Sequence, residues 1–222
     1  MSSSTKSDFA LYGYFRSSAA FRARIALNLK GITPELRFVH LLRDGGEQHT
    51  ADYKAINPQE LIPALAHDGH LITQSMAIIE YLDEIVPEPP ILPRDPYGRA
   101  RAREIAYVVG CDIHPVNNLR VGQYMMRTFN LSADDTVRWQ RHWIRTGFDA
   151  LETMLATSKD TGAYCHGDTP TIADILLIPQ CANARRAKLE LDPWPTIARI
   201  EAQALTHPAF EAALPKNQPD AE

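Results

Sequence analysis

The run Phe9-Ala10-Leu11-Tyr12-Gly13-Tyr14-Phe15-Arg16-Ser17-Ser18-Ala19-Ala20-Phe21-Arg22-Ala23-Arg24-Ile25-Ala26-Leu27-Asn28-Leu29-Lys30-Gly31 holds a strand, a turn and a helix in sequence. Phe9–Tyr12 reads as a short apolar strand, and Gly13 to Ser18 as a turn. Ala19 to Lys30 follows as a helix, with Ile25, Leu29 and small alanines on its apolar side. Gly31 stands where a left-handed residue closes a helix. Working outward, Leu36, Phe38 and His40 alternate with Arg37 and Val39, a weak second strand. Residues 42–58 are polar, carry Gly45-Gly46, and read as loop with one short helix. Ile62–Ala66 and Leu71–Thr73 flank Asp68-Gly69, a strong hairpin signal. Ser75 can cap the next helix, whose Ile78, Ile79, Leu82, Ile85 and Val86 form an amphipathic stripe. The order β-α-β-(α)-β-β-α is an α/β layer arrangement.

Beyond it the composition changes. Pro87, Pro89, Pro90, Pro93 and Pro96 interrupt helix formation and stiffen the chain, as in an ordered linker. The second part of the chain has no strand-like alternation. Helices are expected at about 97–129, 133–156, 172–188, 195–206 and 208–214. Ser132-x-x-Asp135 and Thr171-x-x-Asp174 are capping boxes at two of the starts. Pro115 and Pro179 should kink the helices they fall in. The expected organisation is a flexible tail at 1–8, an α/β domain at 9–87, a linker at 88–96 and an all-helical domain at 97–222.

The 222 residues carry 27 acidic and 23 basic side chains, a net charge of −4, and 45% hydrophobic residues. That is an ordinary globular composition, with no electrostatic footprint for nucleic acid or a membrane surface. Arg predominates over Lys among the basic residues, which suits two-pronged recognition of a small carboxylate ligand. Cys111, Cys165 and Cys181 are odd in number and widely spaced, so neither a disulfide framework nor a zinc site is expected. Free thiols suit a reducing, cytoplasmic setting. Met1–Asp8 is Ser-rich without an apolar core, so no signal peptide is expected there. His40, His67, His70, His142, His166 and His207 make no metal pattern and read as surface or packing residues. Trp139, Trp143 and Phe148 stand at helical spacing and read as core.

Three elements carry chemistry. Ser17 and Ser18 put hydroxyls at a helix N-terminus, where unpaired N–H groups and a partial positive charge favour an anion. They are either plain caps or the support of a thiolate. Ile62-Pro63 opens a strand at a residue that cannot join the sheet ladder; a cis bond there would leave the Ile62 backbone to a peptide-like ligand. Gln74-Ser75 offers an amide, a hydroxyl and a second helix N-terminus for a carboxylate, or again an ordinary cap.

Taken together, these segments resemble the zeta-class glutathione transferases, the maleylacetoacetate isomerase family. The resemblance lies in Tyr14–Ser18 with Arg22–Gly31, Ala55-Ile56-Asn57-Pro58, Ile62–Leu65, Gln74–Leu82, Gly167-Asp168 through Asp174, Gly110–Arg120 and Asn183–Arg186. It implies a thioredoxin-like N-terminal domain, an all-α C-terminal domain and a homodimer. It implies that Ser17 supports the glutathione thiolate, and that Ser18, Gln48, His49, Ile62, Gln74, Ser75, His114 and Asn118 line the glutathione site. Arg16, Arg120 and Arg186 would face an acidic substrate. The family often has Ser-Ser-Cys-Ser at the turn; Ala19 and Ala20 stand here instead, so the reacting sulfur must come from glutathione.

The implied reaction is the glutathione-dependent cis–trans isomerisation of a maleyl keto acid, with thiolate addition, bond rotation and elimination. Maleylacetoacetate is the leading substrate. The alternatives are maleylpyruvate, small α-halo acids, and a non-catalytic binding module on the same scaffold. Neither a nucleic acid nor a membrane is an expected partner.

Overall fold

The structure, a computed structural model, describes residues 8–222, so all of the expected tail but Asp8 lies outside the described residues. In chain order the elements are β1 Phe9–Gly13, α1 Ser18–Leu29, β2 Glu35–Phe38, α2 Ala51–Ile56, β3 Ala64–His67, β4 His70–Thr73, α3 Ser75–Ile85, α4 Pro96–Tyr107, α5 Leu119–Phe129, α6 Ala133–Ala156, α7 Ile172–Arg186, α8 Pro195–Leu205 and α9 Pro208–Ala212. They form two compact units, Met1–Pro90 with His207–Glu222, and Ile91–Thr206.

The first unit is a four-stranded sheet in the order β2-β1-β3-β4. β1 pairs with β2 in parallel and with β3 antiparallel, and β3 pairs antiparallel with β4. The register sets Leu11 opposite both Leu36 and Leu65. Asp68 (φ 48°) and Gly69 (φ 74°) are both left-handed, the backbone that a two-residue hairpin of this twist requires. Gly31 closes α1 at φ 66°. Ile78, Ile79 and Leu82 of α3 are fully buried, each contributing roughly 1.5–3 kcal/mol by removal from water. Ile85, read as part of that stripe, is exposed. Lys30 is also buried in its side chain; its ammonium is 2.7 Å from an Asp83 oxygen and donates to the Pro89 carbonyl.

His207–Glu222 were expected to continue the helical domain, but they belong with the first unit. Phe210 is fully buried. The Asn28 side chain donates to the Ala209 carbonyl at 2.9 Å, and Arg24 Nε to the Ala213 carbonyl at 3.1 Å. The expected linker has buried residues of its own. Ile91 and Leu92 are buried, and the Ile91 carbonyl accepts from the Ile172 amide.

In the second unit the single helix expected at 97–129 is broken. α4 runs into a wider, π-helical stretch at Val108–Ile113, turns follow, and α5 restarts from Asn118. Pro115 is the physical cause: it has no N–H to give, and its ring meets the carbonyl four residues back. Gly147 of α6 lets this stretch come close, since a Cβ there would lie 2.3 Å from Ile113 side-chain carbons. α7 carries Pro179 within it and is buried over most of its length. Both capping boxes form. Trp139 and Trp143 are half-buried rather than core, whereas Phe148 is fully buried. No helix among the described residues is long and apolar enough to cross a membrane.

Candidate active site

The turn after β1 is packed from beneath. Tyr14 and Phe15 join Val39, Tyr53 and Ile62 in an apolar cluster, which leaves Arg16 exposed at the surface. Ser17 is the N-cap of α1. Its amide donates to the Tyr14 carbonyl (3.0 Å), and its Oγ accepts from the Ala20 amide (3.2 Å). This cap uses one lone pair and leaves the O–H to be donated elsewhere. The first turn of α1 holds no acidic residue, so the helix brings no acid of its own against the helix-end field. Ser18 is buried as the first helical residue.

Ser75 does not cap α3 as expected. Gln74 holds the cap position at φ 70°, a left-handed backbone, and makes no side-chain cap bond. Its Nε2 instead donates to Gln59 Oε1 at 2.8 Å. Ser75 is buried in the first turn, and its Oγ accepts from Arg22 Nη1 at 3.4 Å. That contact ties α1 to the start of α3, whose first turn also lacks acidic residues.

Gln48 and His49 sit in a short 3-10 turn between β2 and α2. Gln48 Nε2 donates to the Leu41 carbonyl (3.4 Å) and lies 3.0 Å from His49 Nε2. His49 Nε2 is therefore the acceptor, and Nδ1 carries the proton toward Glu60 Oε2. This bond holds the Glu60 carboxyl below its usual range. Gly46 (φ 108°) shapes the Gln48 pocket, because a Cβ there would lie 2.5 Å from Gln48 Nε2. Gln48 Oε1 is buried with no hydrogen-bond partner among the described residues. Ile62 is buried, and its bond to Pro63 is cis.

The other candidates lie in the second unit. His114 and Asn118 do not share a continuous helix face: His114 ends the π-helical stretch, and Asn118 caps α5. Asn118 Oδ1 accepts from the Arg120 amide at 3.1 Å. Arg120 is exposed in the first turn of α5. Arg186 is exposed at the end of α7, and its Nη2 donates to Asn183 Oδ1.

Sequence reasoning missed Arg22, Arg24, Gln59 and Glu60. Two arginines two residues apart on an otherwise apolar helix were the available signal. Both are buried.

Two segments match family models, the glutathione S-transferase N-terminal domain over residues 16–85 and its C-terminal domain over residues 139–212. The chain is 47% identical to a probable maleylacetoacetate isomerase of Vibrio cholerae, covering 95% of this chain and 97% of that one. It resembles the holo structure of a maleyl pyruvate isomerase, described as a bacterial zeta-class glutathione S-transferase. The TM-score is 0.93 at 45% identity, covering 96% of this chain and 100% of that one. A Methylobacterium extorquens maleylacetoacetate isomerase structure with bound malonate and glutathione matches at a TM-score of 0.92 and 42% identity, over 96% of this chain and 99% of that one.

Proposed function

Because the chain belongs to the zeta-class glutathione S-transferases, the family of maleylacetoacetate and maleylpyruvate isomerases, we propose that it isomerises a maleyl keto acid to its fumaryl form with glutathione as cofactor. The observation that carries this is Ser17. It caps α1 with a hydroxyl proton still to give, at a helix whose first turn carries no acid.

The residues present fit glutathione. The tripeptide has a thiol, an amine, two carboxylates and two peptide units. The α1 and α3 starts offer N–H groups for anions, and the unpartnered buried Gln48 Oε1 is an acceptor awaiting a donor. Ser17, Ser18, Gln48, His49, Ile62, Gln74 and Ser75 would hold it, and the family likeness adds His114 and Asn118. When bound, it supplies the sulfur nucleophile that turns the cis double bond into a rotatable single bond and then leaves. Ser17 donates its O–H to that sulfur and, with the α1 end, lowers the cost of its ionised form. Arg16, Arg120 and Arg186 pin the substrate carboxylates as fixed cations. Guanidinium charge also stabilises the negative charge that develops on the conjugated carbonyl.

Maleylacetoacetate is the first reading of the substrate, with tyrosine and phenylalanine catabolism as the setting, on the likeness to the probable maleylacetoacetate isomerase. Maleylpyruvate is the second reading, favoured by the likeness to the maleyl pyruvate isomerase. The protein acts in the cytoplasm, where Cys111, Cys165 and Cys181 remain free thiols, and it works as a homodimer, as the family likeness implies. Retention on immobilised glutathione, followed by side-by-side assays on the two maleyl acids, tests this reading. Faster turnover of maleylacetoacetate is expected. Retention without conversion of either acid would reduce the chain to a binding module.

Arg120→Ala is expected to raise the KM for the maleyl acid about tenfold or more, the scale of a lost charge-assisted hydrogen bond, with the glutathione KM nearly unchanged. Equal losses for both ligands would make Arg120 a structural residue.

A further inference from the structure

The two residues between β1 and the catalytic turn belong to no sheet ladder. β1 ends at Gly13, whose carbonyl accepts from the Val39 amide, and α1 begins at Ser18. Tyr14 and Phe15 are nevertheless buried. Their peptide groups therefore need partners, and distant side chains supply them. Asp220 Oδ2 accepts from the Phe15 amide at 2.9 Å, across 205 residues of sequence. Arg24 Nη2 donates to the Phe15 carbonyl at 3.1 Å, and Arg24 Nη1 to the Tyr14 carbonyl at 3.4 Å. That same Tyr14 carbonyl accepts from the Ser17 amide. Arg24 also donates through Nε to the Ala213 carbonyl, so one guanidinium joins the turn to the α9 segment. Burial lowers the Arg24 pKa to about 10, and the nearby Asp220 charge pushes back.

A second anchor lies further along the same segment. Glu222 Oε1 is 3.3 Å from Arg43 Nη2 and 3.4 Å from His40 Nε2. His40 accepts the Leu42 and Arg43 amides at Nδ1, which leaves the proton on Nε2, facing Glu222. Its ring packs edge-on against Tyr14 at 4.7 Å. The segment thus reaches Phe15 through Asp220, and the Tyr14 ring through Glu222 and His40.

We propose that Asp220 is a positioning residue for catalysis: by holding the Phe15 amide opposite Arg24, it sets the orientation of the Tyr14–Ser17 turn and so of the Ser17 hydroxyl. The inference rests on the role given to Ser17 above. Asp220 bonds the Phe15 amide, so it acts on Ser17 through the backbone.

The test compares Asp220→Ala with Asp220→Asn, which keeps an acceptor oxygen. Asp220→Ala is expected to lower kcat about ten- to a hundredfold, the scale of a small misplacement of a reacting group, and to raise the thiol pKa of bound glutathione. Asp220→Asn recovers most of both. A folded Asp220→Ala protein with wild-type kcat and thiol pKa would overturn the proposal. So would a fall in kcat that merely tracks the folded fraction while the thiol pKa stays put. Should the variants fail to fold, the wild-type protein still decides. The Phe15 amide proton shift, followed by NMR against pH, must titrate with the Asp220 carboxyl, and a flat Phe15 response contradicts the clamp. If the wild-type protein shows neither glutathione binding nor isomerisation while Phe15 titrates, it is the functional reading that has failed.

Discussion

Ser17→Ala is expected to cut kcat for isomerisation about 10²–10³-fold, the cost of removing one preorganised donor from a developing or standing anion. The thiol pKa of bound glutathione should rise at the same time, read from the thiolate absorbance of the binary complex. The two roles of this hydroxyl separate cleanly. As the α1 cap, accepting from the Ala20 amide, it contributes about 1 kcal/mol to stability. A cap alone would give that small loss in a urea titration and leave the thiol untouched. Ser17→Thr keeps the hydroxyl and the cap, and should retain a lowered thiol pKa. An unchanged thiol pKa and rate in the Ala variant would remove Ser17 from the chemistry.

The second large effect is on stability. Asp174→Ala is expected to cost about 3–5 kcal/mol, because it strands buried donors that each cost roughly 1–3 kcal/mol when left without a partner. Asp174 is fully buried. Its Oδ1 accepts from the Cys165 amide at 2.8 Å; its Oδ2 accepts from the Thr171 amide at 2.8 Å and from the Thr171 hydroxyl at 3.0 Å. It closes the capping box of α7, the helix at the centre of the second unit's core. The measurement is the urea midpoint at constant slope. A loss below about 1 kcal/mol would mean that water satisfies the stranded amides. The gap also depends on pH. Burial holds the Asp174 carboxyl above its ordinary range, against hydrogen bonds that pull it down. A raised folded value favours the protonated form, so this part of the stability is full in acid and is lost as pH rises through the folded pKa. The difference between the wild-type and Ala proteins should therefore narrow with rising pH.

What could be read from the sequence was what local physics decides. Asp68-Gly69 between apolar runs has one good solution, a tight hairpin, and both residues take the left-handed backbone it needs. The Ser132 and Thr171 capping boxes fix helix starts by bonds spanning three residues. The strand–turn–helix around Ser17 was legible for the same reason. β2 was only half legible. Its residues are all exposed, so no burial pattern enforces the alternation, and the strand sits at Glu35–Phe38 rather than running to His40. The break at Pro115 was visible as a proline but not as a π-helical stretch, and the close approach of Ile113 to Gly147 joins residues too far apart in sequence to leave a local pattern. Gln74 took the cap that Ser75 was given, because its left-handed backbone is set by the loop and not by cap chemistry. The docking of His207–Glu222 had no local signature at all. It rests on Arg24, Asn28 and Phe15 meeting groups about two hundred residues away, and such pairings are written in no periodicity.

The most direct measurement supplies glutathione at a hundredth of the maleylacetoacetate concentration and follows both to completion. Complete conversion to the fumaryl isomer, with free glutathione undiminished and no conversion when it is withheld, is the expected result. Conversion that stops when the glutathione is used up, or that proceeds equally without it, would contradict the account.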